Sequence, residues 1–280
     1  GEGCLFQWPA MESRSRRKRT TGESEGKRPE GAPKRAQTIS RSGELRMVHF
    51  LVFVVFSAQS AIYGLLSNSY SYTVRYVSFT ITGEPIVNTV AELQLSTLVA
   101  AYFAVAAFHH LLVVLPGVFP IYKSCLEHRS NPFRWLEYIV SATIMIVILA
   151  LLLGIQDIVV IGLLAICMSS CNSLGFAFER SRSGTIGAYT HVLGWLPFAA
   201  VWGVLFLKFG EGNYDPAVGN FVGPFFYAMF LLFDAFGVTQ LLQFFGAYQH
   251  YVSVEYTFVV LSVVTKSVMG AAAFIAILFI

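Results

Sequence analysis

The chain has 280 residues, of which 55% are hydrophobic and only 12% are charged, and its formal net charge at pH 7 is +3. Soluble domains carry about 25% charged residues, so this composition excludes a soluble globular protein and indicates an integral, multi-pass membrane protein. Four cysteines are too few for a disulfide framework. Cys167 and Cys171, one helical turn apart without a nearby carboxylate, are small packing residues rather than a metal pair. We therefore expect no bound metal, and no nucleic-acid partner.

The first segment, residues 1–46, is predicted to be a disordered, basic cytosolic tail. It holds eleven Lys or Arg and six Asp or Glu, with almost no apolar periodicity. Such a segment cannot bury enough apolar surface to offset the entropy of its chain. Its basic run at 14–19 could contact anionic lipid headgroups, although a solvated tail that fixes the topology is the simpler interpretation.

Residues 47–280 are predicted to form one domain of seven membrane-spanning helices. A span needs about 20 mostly apolar residues, and seven stretches meet that length. They are residues 47–67, 93–115, 133–153, 156–178, 187–208, 221–245 and 254–279. The predicted fold class is thus an all-α membrane protein with a seven-helix bundle.

The longest link between predicted spans, residues 68–92, has a different character. β-Branched and aromatic residues run from Tyr72 to Ile81, and the turn formers Gly83 and Pro85 follow them. This pattern predicts a short β-hairpin in the loop between the first and second spans. The hairpin is expected to lie on the surface, either as a cap over the helices or as part of an oligomer contact.

Basic residues in the loops predict the orientation of the bundle. If the N-terminus is inside, the inner segments carry eleven basic residues in the tail, three after the second span and two after the fourth, which makes sixteen. The outer segments carry only Arg75 and Lys208. The N-terminus is therefore predicted to be cytosolic, and the C-terminus extracellular or lumenal.

Ionisable residues inside membrane spans are functional candidates by default, and they are usually paired. The candidates here are Lys266 in the seventh span, Glu255 at its inner end, Asp234 in the sixth span, His191 in the fifth, Glu137 in the third, and His109 and His110 in the second. Glu137, Glu255 and the two histidines of the second span lie on the cytosolic side of the lysine. This arrangement predicts a polar cavity on one side of the membrane centre.

Lys266 is the central puzzle, because it is the only charge in the apolar run 259–272. Ser262 lies one turn before it on the same face, and Glu255 lies about three turns before it and about 20° away. Snorkelling is excluded because either end of the helix is about 18 Å away. Two interpretations stay open: a structural ion pair with Glu137 or Asp234, and covalent attachment of an aldehyde to a desolvated amine.

Three stretches of the predicted spans are distinctive: SNPFRWLEYIVSATIMIVI at 130–148, LLFDAFGVTQLLQFF at 231–245 and YVSVEYTFVVLSVVTKS at 251–267. They resemble the third, sixth and seventh helices of the heliorhodopsin family of inverted, microbial-type retinal proteins. The resemblance covers about residues 46 to 280. It implies a seven-helix, retinal-binding, rhodopsin-like domain whose N-terminus is inside, the orientation that the loop charges predict independently.

The resemblance also implies roles for particular residues. Lys266 matches the lysine that carries all-trans retinal as a covalent Schiff base, Glu137 matches its single carboxylate counter-ion, and Ser262 matches the serine beside it. A histidine of the second span, with His110 favoured over His109, belongs to the family's cytosolic-side polar cavity. The family often has a further histidine in its first helix; none lies near Gln59, and His49 is expected to be a poor substitute.

The remaining predicted site residues are more general candidates. The residues expected to enclose the chromophore are Ser141, Trp195, Phe226, Phe230 and Phe233. Glu255 is expected to face interfacial water, while Asp234 is either a structural aspartate or part of a proton path.

The predicted function is that of a light sensor without enzymatic activity or efficient ion pumping. Its expected partners are membrane lipid, a second copy of the chain in a homodimer, and a cytosolic signalling protein. The alternative is light-gated or light-driven proton transport through Glu137, Asp234 and Glu255. A third possibility, a colourless transporter that uses Lys266 as a gating charge, also stays open.

Overall fold

A computed structural model of the chain describes residues 42–66, 71–181, 184–212, 216–248 and 250–279. These residues form eight helices and one hairpin. In chain order they are α1 (Ser42–Leu65), β1 (Ser71–Phe79), β2 (Pro85–Gln94), α2 (Leu95–Val114), α3 (Phe119–Glu127), α4 (Pro132–Leu152), α5 (Ile158–Ser181), α6 (Gly184–Glu211), α7 (Pro216–Phe244) and α8 (Tyr251–Phe279).

Seven of the described helices, all except α3, are long and apolar enough to cross a membrane. The prediction of seven spans is confirmed, and the predicted ends lie within about five residues of the observed ones. α3, an amphipathic helix of nine residues between the second and third spans, was not predicted. Long apolar stretches do not predict such a helix, because it is short and carries polar residues on one face.

The first span begins earlier than predicted. α1 starts at Ser42, so residues 42–46 belong to the helix rather than to the tail. Leu45 is buried, and the guanidinium of Arg46 donates two hydrogen bonds to the carbonyl of Val114 at 3.0 and 2.6 Å. That carbonyl is at the end of α2, where helices have unpaired acceptors. The predicted tail otherwise lies outside the described residues.

The predicted hairpin is confirmed. β1 and β2 pair antiparallel, with a register shift between Val74 and Arg75. The side chains of Tyr72 and Val74 are buried, and the amide of Arg75 donates to the carbonyl of Gln156 at 2.7 Å. The hairpin is thus anchored to the link between α4 and α5. We call this end of the bundle the hairpin end, and the end where α1 begins the amino end.

The centre of the bundle is formed by α2, α4 and α8, which are more deeply buried than the other four spans. The main hydrophobic core continues from these helices into the aromatic contacts of α6 and α7. Glu137 lies on α4 and Lys266 on α8. The packing of the bundle therefore places both side chains on its most deeply buried helices.

The start of α5 shows how a link at the hairpin end is fixed. The carboxylate oxygen Oδ1 of Asp157 accepts hydrogen bonds from the amides of Val159 and Val160, at 2.8 and 3.1 Å. These amides have no partner within the helix, so the aspartate acts as an N-terminal cap.

We expect Asp157→Ala to lower the free energy of unfolding by about 1 kcal/mol, the usual cost of losing such a cap. Thermal unfolding in detergent measures this loss as a lower Tm. Asp157→Asn is the matched control, because its amide oxygen can still accept both bonds. An Asn variant that loses as much stability as the Ala variant contradicts the capping role.

Candidate functional site

Lys266 lies at the centre of the site, with two polar groups at its amine. It is 3% exposed. Its Nζ donates to Oγ of Ser262 at 2.7 Å and lies 3.2 Å from Oε1 of Glu137. The helical spacing and the motifs named these three residues, and the structure brings them together. A buried charge of this kind is tolerated in a membrane only when it is paired.

The ion pair leaves hydrogen-bonding capacity unused. Oε1 of Glu137 lies within ion-pair distance of Lys266 but has no aligned hydrogen-bond partner among the described residues. Buried carboxylate oxygens normally have such partners. An N–H group placed at a slightly different angle, or a water molecule, could therefore bind at this oxygen.

A large apolar cavity begins at Lys266 and is bounded by α4, α5, α6, α7 and α8. Its empty space, with the open mouth included, is about 810 Å³. Its aromatic lining residues are Trp135, Tyr138, Trp195, Phe198, Phe233 and Phe236. Such a lining suits a long apolar ligand with one reactive end at the lysine.

Besides the Tyr138 hydroxyl, which donates to the carbonyl of Phe258 at 3.1 Å, the cavity has the buried hydroxyl groups of Ser141 and Thr265. Neither oxygen has a hydrogen-bond partner among the described residues. Buried hydroxyls usually have one, so both are free to interact with a ligand or with water beside it.

The structure separates the predicted aromatic residues into two groups. Trp195 and Phe233 line the apolar cavity. Phe226 and Phe230 do not; they pack against Trp202 with ring centroids 5.8 and 5.2 Å away. Aromatic residues recur throughout these helices, and only the helix rotations decide which of them face the cavity.

A second, small cavity lies on the amino side of the ion pair. Its lining includes Glu137 and Ser262 together with His109, His110 and Glu255. The predicted one-sided polar cavity is therefore present. Both helix-2 histidines border it and both are buried.

The expectation that His49 is a poor substitute for a first-helix histidine is wrong. Its side chain is buried, its Nδ1 lies 2.7 Å from Nδ1 of His110, and its Nε2 lies 2.9 Å from the hydroxyl of Tyr122. Burial raises the pKa of Tyr122 well above its ordinary value, so that this hydroxyl keeps its proton. The early start of α1 places His49 deeper in the bundle than the sequence indicated.

The three histidines form one compact group. Ring nitrogens of His49, His109 and His110 all lie within 4.8 Å of one another. The short contact between His49 and His110 requires one ring to donate and the other to accept. The group can therefore hold and exchange a proton, and its spacing would also permit a metal ion, which the sequence did not predict.

The expectation for Glu255 is also corrected. It is 1% exposed rather than at an interface with water, and it forms an ion pair with Arg134 and accepts a hydrogen bond from Asn131 at 2.8 Å. Arg134 forms a second ion pair with Glu179. We call Arg134, Glu179 and Glu255 the arginine cluster.

Arg134 and Glu179 were not predicted as site residues. Arg134 was counted only as a loop charge, and Glu179 lies just beyond the predicted end of the fourth span. The sequence contains a signal for each residue. Arg134 lies in the first turn of α4, and Glu179 is the only acidic residue of α5. Their pairing depends on how three helices meet at the amino end.

Asp234 lies apart from these groups. Its side chain is half-buried on α7, and it does not line the apolar cavity or the small polar cavity. Its position along the sixth span therefore did not predict whether it shares a cavity with Glu137 and Glu255.

Comparison with solved structures identifies a similar fold. The transmembrane domain of a rhodopsin phosphodiesterase from Salpingoeca rosetta matches with a TM-score of 0.59 and 12% identity, over 88% of this chain and 87% of that one. At this identity the likeness concerns the rhodopsin fold alone. No sequence match to a curated protein is found.

Comparison with protein families confirms the resemblance seen in the sequence. The Heliorhodopsin family matches residues 43–278, a range that includes Lys266, Glu137 and both cavities. The family implies a retinal chromophore, and the apolar cavity that begins at a buried lysine fits such a group. The chain belongs to the heliorhodopsin family and is a rhodopsin-type, light-sensing retinal protein of the membrane.

Proposed function

We propose that all-trans retinal is bound covalently to Nζ of Lys266 and that the protein signals in response to light without efficient ion pumping. The observation that carries this proposal is the Lys266–Glu137–Ser262 group at the end of an aromatic-lined cavity. A neutral lysine amine condenses with an aldehyde and releases one water molecule. Bound there, retinal supplies visible absorption and a change of shape on isomerisation.

The protein's own residues hold the positive charge of the protonated nitrogen. Glu137 supplies one negative charge 3.2 Å away, and the Ser262 hydroxyl supplies a neutral partner at 2.7 Å. One carboxylate against one cation makes a balanced buried pair, which is the arrangement that a low-dielectric site tolerates.

Among the residues that line the two cavities, the carboxylates near the Lys266 nitrogen lie on its amino side. On the amino side lie Glu137 and the group of three histidines, all at the small polar cavity. Toward the hairpin end, residues 138–152 of α4 and 267–279 of α8 contain no Asp or Glu. Vectorial pumping needs an acceptor on one side and a donor on the other, so this asymmetry favours a proton that leaves and returns on the same side.

The orientation and the partners belong to the same proposal. Sixteen basic residues in the inner segments against two in the outer ones support a cytosolic N-terminus and an extracellular or lumenal C-terminus. The amino end, with its polar groups, would then face a cytosolic signalling partner. Exposed apolar residues of the hairpin, such as Val77, Phe79 and Val87, support a homodimer contact beside the lipid.

A light-gated proton path is the second candidate. It is favoured by one observation: Glu137 and Glu255 line the same small cavity, so that a proton could pass from one toward the other. The position of Asp234 outside that cavity weakens its part in the path. Arg134 lines this cavity and pairs with Glu255, so the path requires light to break that ion pair.

We expect the wild-type protein to gain a visible absorption band when it is reconstituted with all-trans retinal, and Lys266→Ala to gain none. The reason is that only Lys266 places an amine at the apolar cavity within the described part of the chain. Lys208→Ala is the matched control, since Lys208 is exposed and bonds Glu211 at the hairpin end. A wild-type protein that stays colourless contradicts the proposal and favours the transporter alternative.

We expect Glu137→Gln to shift the visible band to longer wavelength. Removing the negative charge beside the nitrogen lets the positive charge spread along the polyene, which lowers the excitation energy. Absorption spectra of the purified variants measure the shift. Glu211→Gln, which changes an exposed glutamate, should leave the band in place, and an unshifted Glu137→Gln band would remove Glu137 from the counter-ion role.

We expect vesicles that contain the protein to show no sustained pH change and no steady current under continuous light. A light-driven proton pump in the same vesicles provides the positive control. A steady, light-dependent pH change in vesicles without an imposed gradient would show pumping. A current that follows an imposed proton gradient, and that Glu255→Gln reduces, would establish the light-gated path instead.

A further inference from the structure

Trp135 contacts both the apolar cavity and the arginine cluster. Its ring lines the cavity, and its indole Nε1–H donates to Oε2 of Glu179 at 3.0 Å. The side chain is almost completely buried. In the chain it lies between Arg134, which pairs with the same glutamate, and Glu137, which pairs with Lys266.

The indole is held along one turn of α5. Gly175 and Glu179 are four residues apart, and therefore lie on the same face of that helix. A Cβ atom on Gly175 would lie 2.6 and 2.7 Å from the ring atoms Cζ3 and Cη2 of Trp135, closer than packed atoms can approach. The six-membered ring thus occupies the space over Gly175, while the N–H at the other end of the indole reaches Glu179.

Glu179 bonds several elements at once. Besides its contacts with Arg134 and Trp135, its carboxylate accepts two further hydrogen bonds. The backbone amide of Asn131 donates one at 2.6 Å, and the hydroxyl of Tyr251 donates the other at 3.0 Å. It therefore ties α5 to the starts of α4 and α8. Glu179 and Tyr251 also line a further cavity at the amino end, so that a displaced carboxylate would alter the surface of that cavity.

We propose that Trp135 is the positioning residue that carries a shape change in the apolar cavity to the arginine cluster, through its ring contact at Gly175 and its hydrogen bond to Glu179. The inference rests on the proposed attachment of retinal at Lys266. An occupant that changes shape presses on the ring, and α5 blocks movement of the ring toward Gly175. The indole must then move along the helix, which lengthens or turns its bond to Glu179.

Light-minus-dark infrared spectroscopy of the full chain, reconstituted with all-trans retinal, tests this coupling. Wild type should show a light-induced carboxylate band that Glu179→Gln removes, and an indole N–H band that shifts when tryptophan is labelled with ¹⁵N. Trp135→Phe should lose most of the Glu179 change, measured relative to the amount of bound retinal in each sample. Trp202→Phe is the matched control, because Trp202 is equally buried but does not line the cavity.

Gly175→Ala is an independent variant, which tests the same coupling if Trp135→Phe does not fold. The added methyl group should displace the indole, shift its N–H band in the dark and reduce the Glu179 change. In a Trp135→Phe background the same methyl group should have little further effect. A Glu179 change of wild-type size in Trp135→Phe, or in Gly175→Ala with a shifted N–H band, overturns the coupling; a colourless wild-type protein overturns the retinal attachment instead.

Discussion

The ion pair between Lys266 and Glu137 is the constraint on which the rest of the site depends. An unpaired lysine at the centre of a membrane helix costs roughly 2.5–3.5 kcal/mol even on insertion scales. The structure offsets this cost with one carboxylate and one hydroxyl within 3.2 Å, and it places all three side chains on the two most buried helices, α4 and α8. A pair so deeply buried cannot be separated cheaply, so any change at the nitrogen must be answered locally by Glu137 and its neighbours.

The buried histidine, arginine and glutamate side chains around that pair lie on one side of it, among the described residues. Toward the amino end come the small cavity with three histidines and then the arginine cluster. Toward the hairpin end the same helices carry apolar residues, and Ile146, Ile148 and Met269 are fully enclosed. Water and protons are stabilised only where polar groups can bond them. The polar groups nearest the pair, the histidines and the arginine cluster, therefore lie toward the amino end.

Local spacing explains which parts of the site the sequence could predict. Lys266 and Ser262 are one turn apart on a single helix, so helix geometry alone places them together. Glu137 was identified by its motif in NPFRWLEY and by its depth in the membrane. The seven spans and the hairpin follow from hydropathy and from turn residues. None of these features depends on how one helix is rotated against another.

The sequence by itself determined the class of protein, the seven spans, the hairpin, and the lysine and serine at the centre of the site, because these depend on composition and on periodicity within one segment. Glu137 was selected over Asp234 by the resemblance of its motif to a known family. Only the tertiary structure decided that His49 joins His110, that Glu255 is buried with Arg134 and Glu179, and that Phe226 and Phe230 lie away from the cavity. These facts depend on where each helix begins and on which face it turns to its neighbours. Rotation and depth are set by the packing of all seven helices together, and a one-dimensional pattern does not contain them.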